Sequence, residues 1–234
     1  MAKDPGPLAP RSSRAEVDAF LNKVAQTVPA AAGGRGRLMF ALDATASREP
    51  TWDRACQIQG QMFAETAALG GLDVQIVYYR GFGEFEASGW IGRSVDLLAV
   101  MRRVFCAGGE TQIRKVLEHA IAETKQRRVN ALVFVGDCCE EDVDALCALA
   151  GQLGLLSVPV FLFQEGDDQV ATRAFKQIAR LTNGAHCRFD ASSAQQLRDL
   201  LSAVAVYAAG GRRALEDYGR RVGGDVPLLT RQVR

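Results

Sequence analysis

Short apolar runs alternate along this chain with segments that repeat apolar residues every three or four positions. The runs at residues 38–42, 131–135 and 158–163 contain no charged side chain. A strand that is apolar on both faces needs cover on both sides, as a central strand of a parallel sheet has. The helical segments between the runs can supply that cover. The alternation therefore predicts an α/β fold, a doubly wound sheet with helices on both faces.

One connection breaks this pattern. A tight turn at residues 80–83 joins a second predicted strand, at 74–79, to a short extended segment at 84–88. Strands joined by so short a connection lie antiparallel. The segment at 84–88 is therefore predicted to be a short antiparallel edge strand of a mostly parallel sheet. A last strand is predicted at 186–189.

Apolar spacing also predicts where the helices lie and how the chain divides. Helices are predicted at 13–28, 50–69, 97–105, 113–121, 143–153, 169–181 and from Ser192 or Ser193 to 204, with a further helical stretch at 212–221. We predict four parts: a disordered N-terminus at 1–12, an N-terminal helix and linker at 13–36, the α/β domain at 37–209, and a C-terminal tail at 210–234.

Composition argues against several classes of protein. The chain has 28 Lys and Arg against 27 Asp and Glu, so it has no basic excess for nucleic acid. No apolar stretch approaches the length of a membrane span, and the N-terminus lacks the apolar core of a secretory signal. The six cysteines form no CxxC pair and are expected to be reduced thiols rather than disulfides or zinc ligands. We therefore expect a cytoplasmic protein that binds neither nucleic acid nor membrane.

The exits of two strands carry the most informative polar residues. Asp43 directly follows the run at 38–42 and is followed by Thr45 and Ser47, while Asp137 comes shortly after the run at 131–135. The two strands are expected to be neighbours where the strand order reverses, which is where open α/β sheets bind ligands. Alternate residues of an extended exit point to one side, so a carboxylate and two hydroxyls can converge there.

Thr111 can add a third hydroxyl to this group. It ends the loop Gly108-Gly109-Glu110-Thr111, which precedes the helix predicted at 113–121. Oxygen ligands suit a hard cation, and one or two carboxylates with retained waters are typical of Mg²⁺. The sequence therefore predicts a site for Mg²⁺ or Mn²⁺ with the metal ligands Asp43, Thr45, Ser47, Thr111 and Asp137.

The string Asp43-Ala44-Thr45-Ala46-Ser47, with distant Thr111 and Asp137, resembles the metal-ion-dependent adhesion site of von Willebrand factor A (VWA) domains. That pattern is Asp-x-Ser/Thr-x-Ser, a distant Thr and a distant Asp. Thr45 stands where most members have Ser, which keeps the hydroxyl. The resemblance covers roughly residues 37–209, and the short antiparallel edge strand is similar to that fold too.

The resemblance implies a Rossmann-like VWA fold of the intracellular prokaryotic, bacterial type. It implies a metal-dependent protein-binding module with no catalytic residues. In such a module the cation completes its coordination with an exposed Asp or Glu of a protein partner. For members of this type it also implies partnership with larger assemblies, such as an AAA+ ATPase.

Two other functions stay open. A Mg²⁺-dependent phosphatase or phosphotransferase of the haloacid-dehalogenase type also has an aspartate after its first strand. Its second aspartate, the general acid, would stand where this chain has Thr45. Such an enzyme also has a lysine in a loop, whereas Lys115 lies inside a predicted helix. A metal-free scaffold domain would use the fold only for packing, with Asp43 as a helix cap and the two hydroxyls in a turn.

Two local features also have two interpretations each. Arg48 directly follows the motif, and it either attracts an acidic partner segment or pairs with nearby Glu49 or Asp53. The pair Cys138-Cys139 follows the second strand exit. It is either redox-sensitive or simply two small residues at that exit.

Overall fold

The computed structural model describes residues 12–26, 35–48, 72–189, 199 and 202–208. The helices predicted at 50–69 and 212–221 lie outside the described residues. So do residues 1–11 of the N-terminus predicted to be disordered at 1–12, the predicted cap at Ser192 or Ser193, and the tail at 210–234. The predicted disorder does not extend to Ser12, which is buried and whose hydroxyl accepts a hydrogen bond from the Arg188 amide at 2.8 Å. The domain limits at 37 and 209 stay a prediction.

Six strands form one sheet in the order β3-β2-β1-β4-β5-β6. Every neighbouring pair is parallel except β2 and β3, which are antiparallel. The predicted α/β fold, with one short antiparallel edge strand, is confirmed. The strands are β1 (Gly36–Asp43), β2 (Leu72–Arg80), β3 (Glu84–Ala87), β4 (Ala131–Gly136), β5 (Val160–Glu165) and β6 (Ala185–Phe189).

The described helices cover both faces of this sheet. They are α1 (Arg14–Gln26), α2 (Ser94–Met101), α3 (Ile113–Gln126), α4 (Val143–Leu155), α5 (Gln169–Leu181) and a helical segment at 202–208. Helix α5 has both ends where the sequence predicts them. No described helix is long and apolar enough to cross a membrane.

The helix predicted at 97–105 is too long. Helix α2 ends at Met101, and the chain then turns, with the Val104 amide donating to the Met101 carbonyl. The turn keeps Val104 buried but leaves Phe105 exposed in the following loop. The prediction failed because apolar residues at helical spacing do not reveal where a helix ends when no glycine or proline marks the stop.

Alternating residues of β1 enter two separate cores, one on each face of the sheet. Phe40 and Leu42 belong to the core that α1, α2 and the segment at 202–208 cover, while Met39 and Ala41 belong to the core under α3, α4 and α5. Helix α1 docks through Phe20, whose ring centroid lies 5.8 Å from that of Phe161. Cover on both faces explains why residues 38–42 of β1 are all apolar.

Candidate functional site

Asp43 lies at the carboxyl end of β1, where the strand order reverses between β1 and β4. Its side chain is buried, yet both of its oxygens are engaged. Oδ1 accepts a hydrogen bond from the Thr45 amide at 2.9 Å. Oδ2 accepts one from the Tyr79 hydroxyl at 2.9 Å, because the parallel register sets Tyr79 of β2 opposite Asp43. Each carboxylate oxygen keeps capacity for a further partner.

The two hydroxyls of the motif lie together in the next turn. Residues Ala46–Arg48 form a 3₁₀ turn, and Thr45 Oγ1 lies 3.1 Å from Ser47 Oγ. Thr45 is buried and Ser47 is exposed. The bond from the Thr45 amide to Asp43 is also the local turn contact expected of a metal-free scaffold. The geometry of this turn therefore agrees both with a metal site and with a metal-free scaffold.

Asp137 follows β4, and one of its oxygens has no hydrogen-bond donor among the described residues. Gly136 brings the β4 exit against the β1 exit: a Cβ atom on Gly136 would lie 3.3 Å from the Asp43 Cβ. Asp137 Oδ1 is buried and accepts no hydrogen bond from any described residue. Buried polar atoms without a partner are rare in folded proteins, and such an atom calls for a specific explanation.

Thr111 approaches from the loop before α3. The Thr111 amide donates to Glu140 Oε2 at 3.0 Å, and the Glu140 amide donates to Thr111 Oγ1 at 3.1 Å. Its described hydrogen bonds therefore go to the loop after β4 rather than to either aspartate. The loop of Thr111 also meets the motif, because the Ala107 amide donates to the Ala44 carbonyl at 3.0 Å. The three loops of the predicted site are thus joined.

Tyr79 and Glu141 are site residues that the sequence did not single out as such. Burial raises the pKa of Tyr79 well above its usual value, with further contributions from the charges of Asp43, Glu141 and Asp137. The tyrosine hydroxyl therefore contacts Asp43, and the charges of Glu141 and Asp137 also act on it. The sequence does place Tyr79 near the end of the second predicted strand. Its contact with Asp43 could not be predicted, because it depends on the register between β1 and β2.

The carboxylates of this cluster are electrostatically strained. Burial raises the pKa of Asp43; hydrogen bonds from Thr45 oppose that shift, and the charge of Asp137 adds to it. Burial also raises the pKa of Glu141, although the Arg114 and Ile113 amides at the start of α3 and the Thr111 hydroxyl donate hydrogen bonds to it. Positive charge in the cluster would relieve this strain.

Arg48 does not supply a surface cation to a partner. Its side chain is fully buried, and its Nε lies 3.1 Å from Glu165 Oε2 at the end of β5. The interpretation that Arg48 attracts an acidic partner segment is therefore wrong. The prediction failed because a charged residue in a loop is usually exposed, and because Glu165, the partner of Arg48, is distant in sequence. Glu49 and Asp53, its other predicted partners, lie outside the described residues.

The cysteines at the β4 exit have little thiolate character. Burial, followed by the charge of Asp137, raises the pKa of Cys138 to about 12, and burial raises that of Cys139. Such thiols stay protonated at neutral pH and react slowly. This favours two small residues at a strand exit over a redox-sensitive pair. The five described cysteines form no disulfide, and Cys56 lies outside the described residues.

The residues present fit a hard cation through oxygen atoms. Within the described ranges, no group of three or more His, Cys, Asp or Glu side chains is placed to hold a metal ion. The candidate set instead combines two carboxylates with three hydroxyls. Its uncompensated acceptor at Asp137 and its strained Asp43 carboxylate are the features that a bound cation would satisfy.

The sequence matches no protein-family model and no curated protein. The structure is similar to a von Willebrand factor type A protein from Catenulispora acidiphila. The TM-score is 0.61 and the identity 13%, over 74% of this chain and 43% of that one. It is also similar to the SpRpn10 VWA domain, with a TM-score of 0.58 and 13% identity over 71% of this chain and 94% of that one.

The chain has the fold of VWA domains. A pilus adhesin, SpaC from Lactobacillus rhamnosus GG, shares it with a TM-score of 0.57 and 10% identity, over 77% of this chain and 31% of that one. The chain therefore spans less than half the length of two of these three proteins. At these identities the likeness concerns the VWA fold alone.

Proposed function

We propose that this chain is a divalent-metal-dependent protein-binding module. Mg²⁺ or Mn²⁺ would be held by Asp43, Thr45, Ser47, Thr111 and Asp137. The observation that carries the proposal is the buried Asp137 Oδ1, which accepts no hydrogen bond from the described part of the chain and lies on the exit next to the buried Asp43. A cation is the simplest partner for such an oxygen, because a second carboxylate close by makes a neutral explanation costly.

The nearby charges support the proposal. Arg48 lies close enough to lower the pKa of Asp43, but its guanidinium is paired with Glu165. Arg48 acts on Asp43 and Arg114 acts on Glu141, while Asp137 adds a second negative charge beside Asp43. When bound, the cation would supply a Lewis-acidic position to which a carboxylate of a partner can bind. The VWA fold agrees with a binding role, and one structural neighbour is an adhesin by name.

The finer parts of the proposal rest on the resemblance alone. These are the intracellular prokaryotic type, the cytoplasmic location and the partnership with an AAA+ ATPase assembly. No contact or charge described above supports them, and they stay predictions.

Thermal unfolding in Mg²⁺, Mn²⁺ and EDTA tests the proposed cation. A ligand of the folded state present at about 100 times its Kd adds about 2.7 kcal/mol of stability. For a domain of this size that raises Tm by about 5–10 °C. Asp43→Ala should remove the increase, whereas Asp167→Asn should keep it, since Asp167 is an exposed carboxylate just beyond the neighbouring strand β5. Equal melting of the wild type in Mg²⁺ and EDTA would contradict the proposal.

A second measurement separates binding from catalysis. We propose that the chain binds without turnover, because Thr45 stands where a haloacid-dehalogenase-type enzyme needs its general acid. Incubation with a generic phosphate ester and Mg²⁺ should therefore release no phosphate above background. Steady release that is lost in Asp43→Asn would instead favour the phosphatase alternative.

A further inference from the structure

Two of the most exposed large apolar side chains among the described residues lie on neighbouring turns. Phe82, in the turn between β2 and β3, is 84% exposed, and Phe105, after α2, is 60% exposed. Single exposed apolar residues need no explanation, but aromatic side chains grouped on one rim are typical of binding surfaces. We call Phe82 and Phe105 the aromatic rim.

The two turns are held together as one unit. The Arg80 guanidinium lies 3.8 Å from the Phe105 ring centroid and donates a hydrogen bond to the Phe105 carbonyl at 3.3 Å. The Glu110 amide donates to the Gly81 carbonyl at 3.3 Å. Gly109 packs so closely on Gly81 that no side chain would fit between them. The backbones of the two turns are therefore joined, and the Phe105 ring packs against Arg80, which lowers the entropic cost of binding.

The aromatic rim also adjoins the proposed metal site. Ala107, two residues after Phe105, pairs with Thr45 of the motif through a parallel bridge. On the other turn, Phe82 stands three residues after Tyr79, which donates its hydroxyl hydrogen bond to Asp43. Both turns are thus anchored on residues that contact the predicted ligands. A ligand at the metal site can therefore reach the aromatic rim within a few residues.

The charges around the site indicate on which side an acidic ligand segment would lie. Arg102 and Arg103 are exposed and directly precede the Phe105 turn. On the loop after β4, Glu140 and Asp142 are exposed and carry the opposite charge. An acidic segment is therefore favoured on the side of the arginines and disfavoured on the side of the β4 loop.

We propose that the aromatic rim is a second subsite for the protein partner, which rests on the function proposed above. The partner is a polypeptide segment that offers an Asp or Glu to the metal site. An apolar side chain of the segment lies against Phe82 and Phe105. A further acidic residue follows toward Arg102 and Arg103. The metal site selects a carboxylate, and the aromatic rim selects the sequence beside it.

A displayed peptide library tests this specificity. Each peptide has one fixed central Asp and random flanks, and selection on the full chain is done in Mg²⁺. Bound peptides should be enriched in an apolar residue within about four positions of the Asp, the reach of an extended segment at about 3.3 Å per residue. An acidic residue should follow on the same side. Flanks that stay random, or that carry lysine there, would overturn the proposal.

Matched variants then locate the subsite on the protein. Burying an aromatic side chain contributes about 1.5–3 kcal/mol, so Phe105→Ser and Phe82→Ser should each weaken the best peptide about tenfold or more. Leu155→Ser is the control, because Leu155 is 89% exposed at the end of α4. Equal affinity for all three variants would contradict the proposal. Unchanged melting temperatures would show that the variants are folded.

The outcomes separate this inference from the function beneath it. Binding that EDTA abolishes, with no preference for apolar flanks, would overturn the subsite and leave the metal-dependent function standing. Apolar preference that survives EDTA would overturn the metal-dependent function and show a surface of another kind. Enrichment of no peptide at all would contradict both. Self-association that Phe105→Ser abolishes would overturn the proposed partner, because a second copy of the chain would then occupy the aromatic rim.

Discussion

The two ends of β1 bury charged side chains in opposite ways. At its start, the Arg37 guanidinium donates to Glu123 Oε2 at 2.8 Å and to the Arg127 carbonyl, and it lies 3.7 Å from the Trp90 ring centroid. The Trp90 indole also donates to Glu123. At its other end, Asp43 adjoins Asp137, and one Asp137 oxygen has no described donor. One end is balanced in charge and hydrogen bonds, and the other is not.

The shifts in pKa show the same contrast. Burial acts to raise the pKa of Glu123, but hydrogen bonds from Trp90 and Arg37 outweigh it and leave the pKa below its usual value. At Asp43, burial outweighs the hydrogen bonds from Thr45 and leaves the pKa raised. The Arg37–Glu123 pair is satisfied within the protein. Carboxylates with raised pKa values at a strand exit are instead typical of a ligand-binding site.

Breaking the balanced end should have the largest effect. Arg37→Met leaves the Glu123 carboxylate without its cation, and loss of one partner from a buried pair costs about 3–5 kcal/mol. Glu123 is partly exposed, so we expect the lower part of that range in urea unfolding. Arg35→Met is the control: Arg35 pairs with Asp73 and also donates to the Leu72 and Gly92 carbonyls, but its side chain is 47% exposed, so we expect a smaller loss. Equal losses in the two variants would remove the contrast.

Removing a charge at the Asp43 end of β1 should stabilise the fold rather than destabilise it. Asp137→Asn keeps the shape of the side chain and removes a charge that disfavours ionised Asp43. In EDTA this should raise the free energy of unfolding by about 1 kcal/mol, because a strained charge is relieved. Asp167→Asn should change it by less than about 0.5 kcal/mol. A clear loss of stability in Asp137→Asn would mean that its carboxylate is satisfied in the folded chain.

The pH dependence should distinguish the two ends without metal. The raised pKa of Asp43 means that its contribution to stability is present below its usual pKa of 3.8 and is lost as pH rises through the folded value. The lowered pKa of Glu123 means that its contribution is lost as pH falls through the folded value, below the usual 4.5. The measurement is the free energy of unfolding in EDTA from about pH 3 to pH 7. As pH rises, the wild type should lose stability relative to Asp43→Asn and gain stability relative to Glu123→Gln. Parallel slopes would contradict the assignment.

Glu141 should give the smallest effect, because its carboxylate has a structural role within the cluster. It accepts hydrogen bonds from the Ile113 and Arg114 amides at the start of α3. Glu141→Gln keeps one acceptor oxygen but replaces the other, which accepts an amide hydrogen bond, with an NH₂ group. Relief of the raised pKa of Glu141 opposes that loss, so we expect a net loss of only about 0.5–1 kcal/mol by urea unfolding. Metal affinity should change less than about threefold, since Glu141 is not a predicted ligand. A larger loss of affinity would place it among the ligands.

Most of the fold follows from patterns within single segments. Apolar runs predicted the strands, the short turn at 80–83 predicted the antiparallel β3, and helical spacing predicted α5 with both ends. Helix α2 was predicted too long, because nothing in the segment itself marks its end at Met101. Phe105, predicted as the last residue of that helix, instead lies exposed in the following loop and is part of the aromatic rim.

The candidate site was predictable only where its residues are close in sequence or follow a strand. The motif from Asp43 to Ser47 and the exit at Asp137 could be placed from topology. Tyr79 could not, because its contact with Asp43 depends on the register of two parallel strands. Arg48 was misplaced for a similar reason: its partner Glu165 ends a strand far along the chain. Long-range pairing decides both positions.

Direct titration with Mn²⁺ tests the central claim, and calorimetry or the paramagnetic signal of free Mn²⁺ can follow it. The wild type should bind one ion per chain, and Mg²⁺ should compete for the same site. Asp137→Asn should weaken binding by more than about tenfold, because it removes one of two carboxylates. Asp167→Asn should bind as the wild type does. Absence of saturable binding to the wild type, or equal binding by both variants, would contradict the account.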